Sequence, residues 1–164
     1  MRRFNSLLLG VQGVHFLLQA SALGLDFGAR RFINGAPKNH HTGIDIKAPA
    51  GTPIAAPSDG RVLYTGRFSL SGNSVFIDHG TGICSMYFHL ASFAVHSGQK
   101  VKRGDIIGTV GSTGRSTGPH LHWGVRINNK RVDPLALKGS YAGAMGMGQF
   151  IPSSFRTCAS TPRV

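Results

Sequence analysis

Three stretches hold the residues best able to do chemistry: HHTGID with His41 and Asp45, MYFHLA with His89, and GPHLHWGVRI with His120 and His122. In extended chain, positions two or four apart return to the same face. His41 and Asp45 therefore share a side while Ile44 and Ile46 take the other, and His120 and His122 face away from Leu121, Trp123, Val125 and Ile127. Two imidazoles and one carboxylate make an N,O set suited to Zn2+, and three protein ligands leave the fourth tetrahedral position to water. That is a catalytic arrangement, in which zinc lowers the pKa of a bound water from about 15.7 toward 7 and polarises a substrate carbonyl.

Such a site also needs a group to take and deliver protons, and in H-E-x-x-H enzymes this is a glutamate. Here all six carboxylates are aspartates (Asp26, Asp45, Asp59, Asp78, Asp105, Asp133), so any mechanism that demands Glu is excluded. Imidazole remains, with an ordinary pKa near 6.5 that suits general acid and base work. Only one histidine of His120-Leu-His122 is needed as third ligand, which frees the other, and His89 is a further candidate. Tyr87, two residues from His89, is expected to share its strand face. His40 flanks the site, His79 sits in a turn, His96 in a loop and His15 near the N-terminus.

The elements that must position these residues are short strands. Prolines at 49, 53 and 57 forbid a helix through that region but suit strand edges and turns. GRVLYTG, NSVFIDHG, CSMYFHLA, KVKRGDIIGTVG and HLHWGVRIN follow, each bounded by Gly, Asn or Asp turn signals. The 23 glycines in 164 residues agree with many tight turns. The fold class is mainly β, an antiparallel sheet or small open barrel, with one domain and loose ends.

A net charge of +12 favours a polyanionic partner such as nucleic acid, anionic lipid or an acidic wall polymer. Aromatic residues do not cluster with Arg and Lys as stacking platforms require, which argues against nucleic acid. Cys84 and Cys158 form no C-x-x-C pair, and Cys84 reads as a buried strand residue. No apolar run reaches the roughly 18 residues of a membrane span. Residues 1–22, MRRFNSLLLGVQGVHFLLQASA, resemble a secretory signal with cleavage after Ala22, but Gln12, Gly13 and His15 interrupt the apolar stretch, and the alternative is the remnant of an upstream segment.

HHTGIDIKAPAGTPIAAPSDGRV, GNSVFIDHGTGICSMYFHLA, GQKVKRGDIIGTVGSTGRSTGPHLHWGV and RVDPLAL resemble, in order and spacing, the lysostaphin or LytM-type zinc endopeptidases of bacterial cell walls. The resemblance implies the LytM (duplicated hybrid motif) β fold over residues 36–137, with a lead-in over 23–35. It further implies zinc ligands His41, Asp45 and His122, catalytic histidines His89 and His120, and peptidoglycan as substrate. A secreted or periplasmic location and a monomer are the matching expectations. The alternative is a non-catalytic LytM-like module that binds wall or activates another hydrolase. Such modules commonly lack ligands, whereas all five positions are intact here. Tyr87 and Asn73 also match family positions, although packing and turn formation account for them.

Two departures accompany the resemblance. The family usually has a further N-terminal strand before the lead-in, and only LDFGARRF would remain after cleavage at Ala22, leaving an edge uncovered. In residues 138–164, GSYAGAMGMGQFIPSSFR resembles a segment of membrane-bound lytic transglycosylase B. It lacks the acidic residue such an enzyme needs and reads as a fragment without activity of its own.

Overall fold

The computed structural model describes residues 22–33 and 35–135. Among them the regular elements are twelve strands: β1 (Ala22–Leu23), β2 (Arg31–Ile33), β3 (Ala36–Lys38), β4 (Ile44–Lys47), β5 (Pro53–Ala55), β6 (Gly60–Phe68), β7 (Gly72–Asp78), β8 (Ile83–Phe93), β9 (Lys100–Val101), β10 (Ile106–Val110), β11 (Leu121–Ile127) and β12 (Lys130–Val132). Every pairing is antiparallel, as short strands joined by tight turns require. Ten strands form one open sheet along the path β1-β4-β11-β8-β7-β6-β9, from which β10 branches off β8 to carry β5, and β12 flanks β11. β2 and β3 form a separate hairpin. The expected KVKRGDIIGTVG strand is split in two by the turn at 102–105, where the Asp105 carboxylate accepts a hydrogen bond from the Lys102 backbone N–H at 2.7 Å.

The period of two sorts the side chains as expected. Ile44, Ile46, Val75, Ile77, Tyr87, Leu121, Trp123 and Val125 face the main core with Ile54, Val62, Leu90, Ile107 and Val110. Each such buried aliphatic or aromatic side chain contributes roughly 1.5–3 kcal/mol relative to exposure. The opposite face carries Asp45 and His122, followed by a smaller apolar cluster of Cys84, Met86 and Phe88 packed on Leu63 and Phe76. Cys84 is buried there, as expected.

β8 changes partners part-way. Residues 83–88 pair with β11, and from Leu90 onward the strand pairs with β10. His89 stands at the corner in a left-handed conformation (φ 62°). There its backbone N–H donates to the Ser71 carbonyl at 2.9 Å. The expectation that Tyr87 and His89 share a face is therefore overturned. Tyr87 is in the main core, whereas His89 swings to the other side beside Phe88, because a left-handed residue breaks the alternation.

The edge that looked uncovered is occupied. β1 pairs with β4, Ala22 opposite Lys47 and Leu23 opposite Ile46, and the ladder continues through Gly24 N–H to Asp45 O (2.8 Å) and Asp45 N–H to Leu25 O (3.0 Å). These residues straddle the expected cleavage point. The boundary at Leu137, the tail and residues 1–21 lie outside the described residues.

Candidate metal and catalytic site

His41 precedes β4, Asp45 lies within it, and His122 lies on the neighbouring β11, directly opposite Asp45 in the register. Gly43 permits this approach. A Cβ there would sit 2.4 Å from the Trp123 carbonyl oxygen and 3.0 Å from the His122 ring, so any side chain would force β4 and β11 apart.

Three ligand atoms converge. His41 Nε2 lies 3.0 Å from Asp45 Oδ1 and 2.9 Å from His122 Nδ1, and His122 Nδ1 lies 2.7 Å from Asp45 Oδ1. A tetrahedral zinc with bonds of about 2.0–2.1 Å spaces its ligands about 3.3 Å apart, so the edges of the triangle need to open by about 0.3–0.6 Å. Donor chemistry agrees. The His41 Nδ1–H donates to the Asp26 carbonyl at 2.9 Å, which fixes the tautomer and turns the Nε2 lone pair inward. Burial would raise the Asp45 carboxyl, but hydrogen bonds and charge from His122 and His41 outweigh it and hold the group well below the usual carboxylate range. Burial pushes His122 down, with Asp45 partly opposing, so its ring favours the neutral form that a ligand needs. The residues present thus fit a zinc ion.

The lead-in clasps this triangle. Gly28 N–H donates to His41 O at 2.8 Å and His41 N–H to Ala29 O at 2.9 Å, so both backbone groups of His41, as well as its ring, are held by residues 26–29.

His89 and His120 form a second pair, their ring centroids 4.8 Å apart. His89 Nδ1–H donates to the Thr113 carbonyl at 2.8 Å, and His120 Nδ1–H to the Gly118 carbonyl at 2.9 Å, leaving both Nε2 atoms for other work. His120 Nε2 is 3.9 Å from Asp45 Oδ1. Burial lowers the His89 pKa, the Thr113 carbonyl partly offsets this, and His120 adds to the lowering. Sequence reasoning missed Thr113 and Ser116, whose hydroxyl lies 3.2 Å from His120 Nδ1 and donates to Gly118 O at 2.7 Å. Their only signal is a place in the turn-rich GSTGRSTG. Asn73 braces this corner, with its amide donating to Leu90 O at 3.0 Å and its backbone N–H to Thr113 Oγ1 at 2.9 Å.

Both groups open into one cleft of about 840 Å³, walled by Arg30, Arg31 and Phe32 together with Leu70, Arg115 and Ser116, and bounded by Phe88 and Arg131. The other described histidines stand apart. His40 is exposed, the His96 backbone N–H donates to the Gln99 side chain, and His79 bridges the Asp59 carbonyl and Ser85 Oγ.

Comparison with known proteins now decides the family, because residues 39–134 match Peptidase family M23. The chain belongs to that family. Within it, this M23 domain is 50% identical over 97 residues to the DD-carboxypeptidase/endopeptidase Mpg of Neisseria meningitidis, a match covering 59% of this chain and 22% of the relative. It is 40% identical over 114 residues to the peptidoglycan DD-endopeptidase ShyA of Vibrio cholerae, covering 68% of this chain and 26% of the relative. The chain therefore spans only about a quarter or less of these relatives. Among solved structures, the lysostaphin catalytic domain from Staphylococcus simulans superposes with a TM-score of 0.67 at 33% identity, over 74% of this chain and 94% of that one. A zinc-containing peptidase from Vibrio cholerae gives 0.67 at 35% identity, over 74% and 37%. Residues 125–162 also match the Transglycosylase SLT domain, in agreement with the resemblance of the tail.

Proposed function

We propose that this M23 domain is a zinc-dependent endopeptidase that hydrolyses peptide bonds in the stem peptides or cross-links of peptidoglycan. His41, Asp45 and His122 would hold the metal, and His89 and His120 would handle protons and the developing oxyanion. The observation that carries the reading is the convergence of His41 Nε2, Asp45 Oδ1 and His122 Nδ1 within 3.0 Å of one another on the wall of a cleft that also holds the His89–His120 pair. Zinc, when bound, would supply an acidified water and a Lewis acid for the scissile carbonyl.

The chain's own residues supply the rest. Each catalytic imidazole is pinned through Nδ1–H to a carbonyl, so each offers Nε2 alone: neutral it accepts a proton, charged it returns one or donates a hydrogen bond to negative charge. The lowered pKa of His89 favours its neutral form near neutral pH, which suits a base that must be empty at the start of a cycle. Relatives named as peptidoglycan endopeptidases support the substrate class and, with it, an extracytoplasmic location, periplasmic or secreted. No helix among the described residues is long and apolar enough to cross a membrane.

Mass spectrometry of muropeptides released from purified sacculi, with and without chelator, tests the assignment. Chelator-sensitive release of uncross-linked stems is expected. One bound zinc with no release would instead indicate the non-catalytic wall-binding module.

A further inference from the structure

The cleft carries more positive charge than its catalytic groups explain. Arg30, Arg31, Arg115 and Arg131 line it, and its one lining carboxylate, Asp45, is committed to His41 and His122. Arg30, Arg31 and Arg115 are exposed and cost little to solvate, but Arg131 is half-buried. It stands on β12 opposite Arg126 of β11, so that two guanidiniums neighbour each other across the hairpin. Its side chain runs across Gly124, where a Cβ would lie 3.0 Å from Nη1, and its Cζ reaches a point 5.9 Å from the centre of the Phe88 ring. The Phe88 ring in turn lies tilted against that of His122, with the centroids 5.3 Å apart.

Arg131 Nη1 is buried without a hydrogen-bond partner, and Arg131 forms no ion pair among the described residues. A desolvated, unpaired cation beside a like charge is unfavourable, and a ligand that supplies the missing anion recovers the difference. Burial, and then Arg126, lower the guanidinium to about 10, which still leaves it charged at neutral pH. Guanidinium geometry matches a carboxylate in two parallel hydrogen bonds.

We propose that Arg131 is a specificity residue that binds a free carboxylate on the substrate peptide. It lies two ring contacts from His122, and an extended peptide advances about 3.3–3.6 Å per residue, so the carboxylate sits within about three residues of the scissile bond. This rests on the endopeptidase reading for the identity of the ligand as a peptide. The carboxylate can come from a side chain or from the peptide's own C-terminus, and both offer the same group to Arg131.

The test uses zinc-loaded protein and synthetic stem peptides in matched sets: both carboxylates free, the side-chain carboxylate amidated, and the C-terminus amidated. Calorimetric binding and cleavage are measured for wild type, Arg131→Gln and Arg131→Lys, with thermal melts to establish folding. Wild type is expected to lose about 10- to 100-fold in affinity when the recognised carboxylate is amidated, and the amide that causes the loss identifies its source. Arg131→Gln should bind the acid and amide forms alike, with the change in KM rather than kcat, and Arg131→Lys should restore part of the preference. The proposal is overturned if wild type shows no preference, or if Arg131→Gln keeps it. Should no peptide be cleaved, the endopeptidase reading fails on its own, while the binding comparison still decides the role of Arg131.

Discussion

His89 combines two unusual demands, a left-handed backbone and a side chain in the cleft, and the two can be separated by choice of substitution. Asn tolerates φ near +60° better than Ala does, so His89→Asn keeps the corner of β8 at little cost while His89→Ala adds backbone strain. Both are expected to retain one zinc per chain and to lose about 10²- to 10⁴-fold in kcat, the usual worth of a positioned acid or base. Thermal melting should rank Asn above Ala. His122→Ala, by contrast, removes a proposed ligand atom and should lose metal and turnover together, as read by metal analysis alongside activity. Turnover retained in His89→Asn would remove His89 from the chemistry, and zinc retained at full affinity in His122→Ala would break the ligand assignment.

At the scale of elements, the proposed metal site depends on a segment that contributes none of the proposed ligands. Residues 24–29 bond both sides of His41 and the backbone of Asp45, and Asp26 O fixes the His41 ring. Deleting residues through Phe27 is expected to leave a protein that binds zinc at least tenfold more weakly, measured by competition with a chelating dye, because His41 loses the partner that orders its tautomer. Unchanged affinity would show that β4 and β11 suffice. The β7–β8 turn holds a pH-sensitive clamp of the same kind. His79 Nδ1–H donates to Asp59 O at 2.8 Å and Nε2 accepts from the Ser85 hydroxyl at 2.7 Å, an arrangement only the neutral ring can make. Burial lowers its pKa below 6.5, with the Asp59 carbonyl partly opposing. The unfolded chain therefore binds the proton more readily. This clamp's stability is present in full above pH 6.5 and is lost progressively as the pH falls from there through the lower folded-state value. Melting temperatures at pH 7.5 and 5.5 should drop further for wild type than for His79→Asn, and equal drops would sink the idea.

For the whole molecule, alternation was the readable part. Ile44 against Asp45, and Leu121 and Trp123 against His122, announce which face is core and which is site, since a period of two leaves a direct trace in residue type. What escaped was set by backbone rather than by side-chain pattern: the left-handed turn at His89 that parts it from Tyr87, the main-chain clasp of residues 24–29, and the hairpin register that lays Arg131 over Gly124. Charge operates on a longer scale than any of these. With a net charge of +12 and four arginines at the cleft, the proposed association with an anionic wall polymer would gain from long-range attraction that salt screens, with a Debye length of about 10 Å at 0.1 M and about 3 Å at 1 M. Chemistry at the ligand triangle is short-range and partly buried, so it is screened far less. Raising salt from 0.05 to about 0.5 M should therefore weaken binding to purified sacculi by an order of magnitude or more, while kcat on a short soluble peptide changes less than about twofold. Sedimentation of protein with sacculi, set beside soluble-peptide kinetics at the same salt concentrations, reads both quantities. Binding indifferent to salt would mean that shape, rather than charge, holds the protein on its polymer.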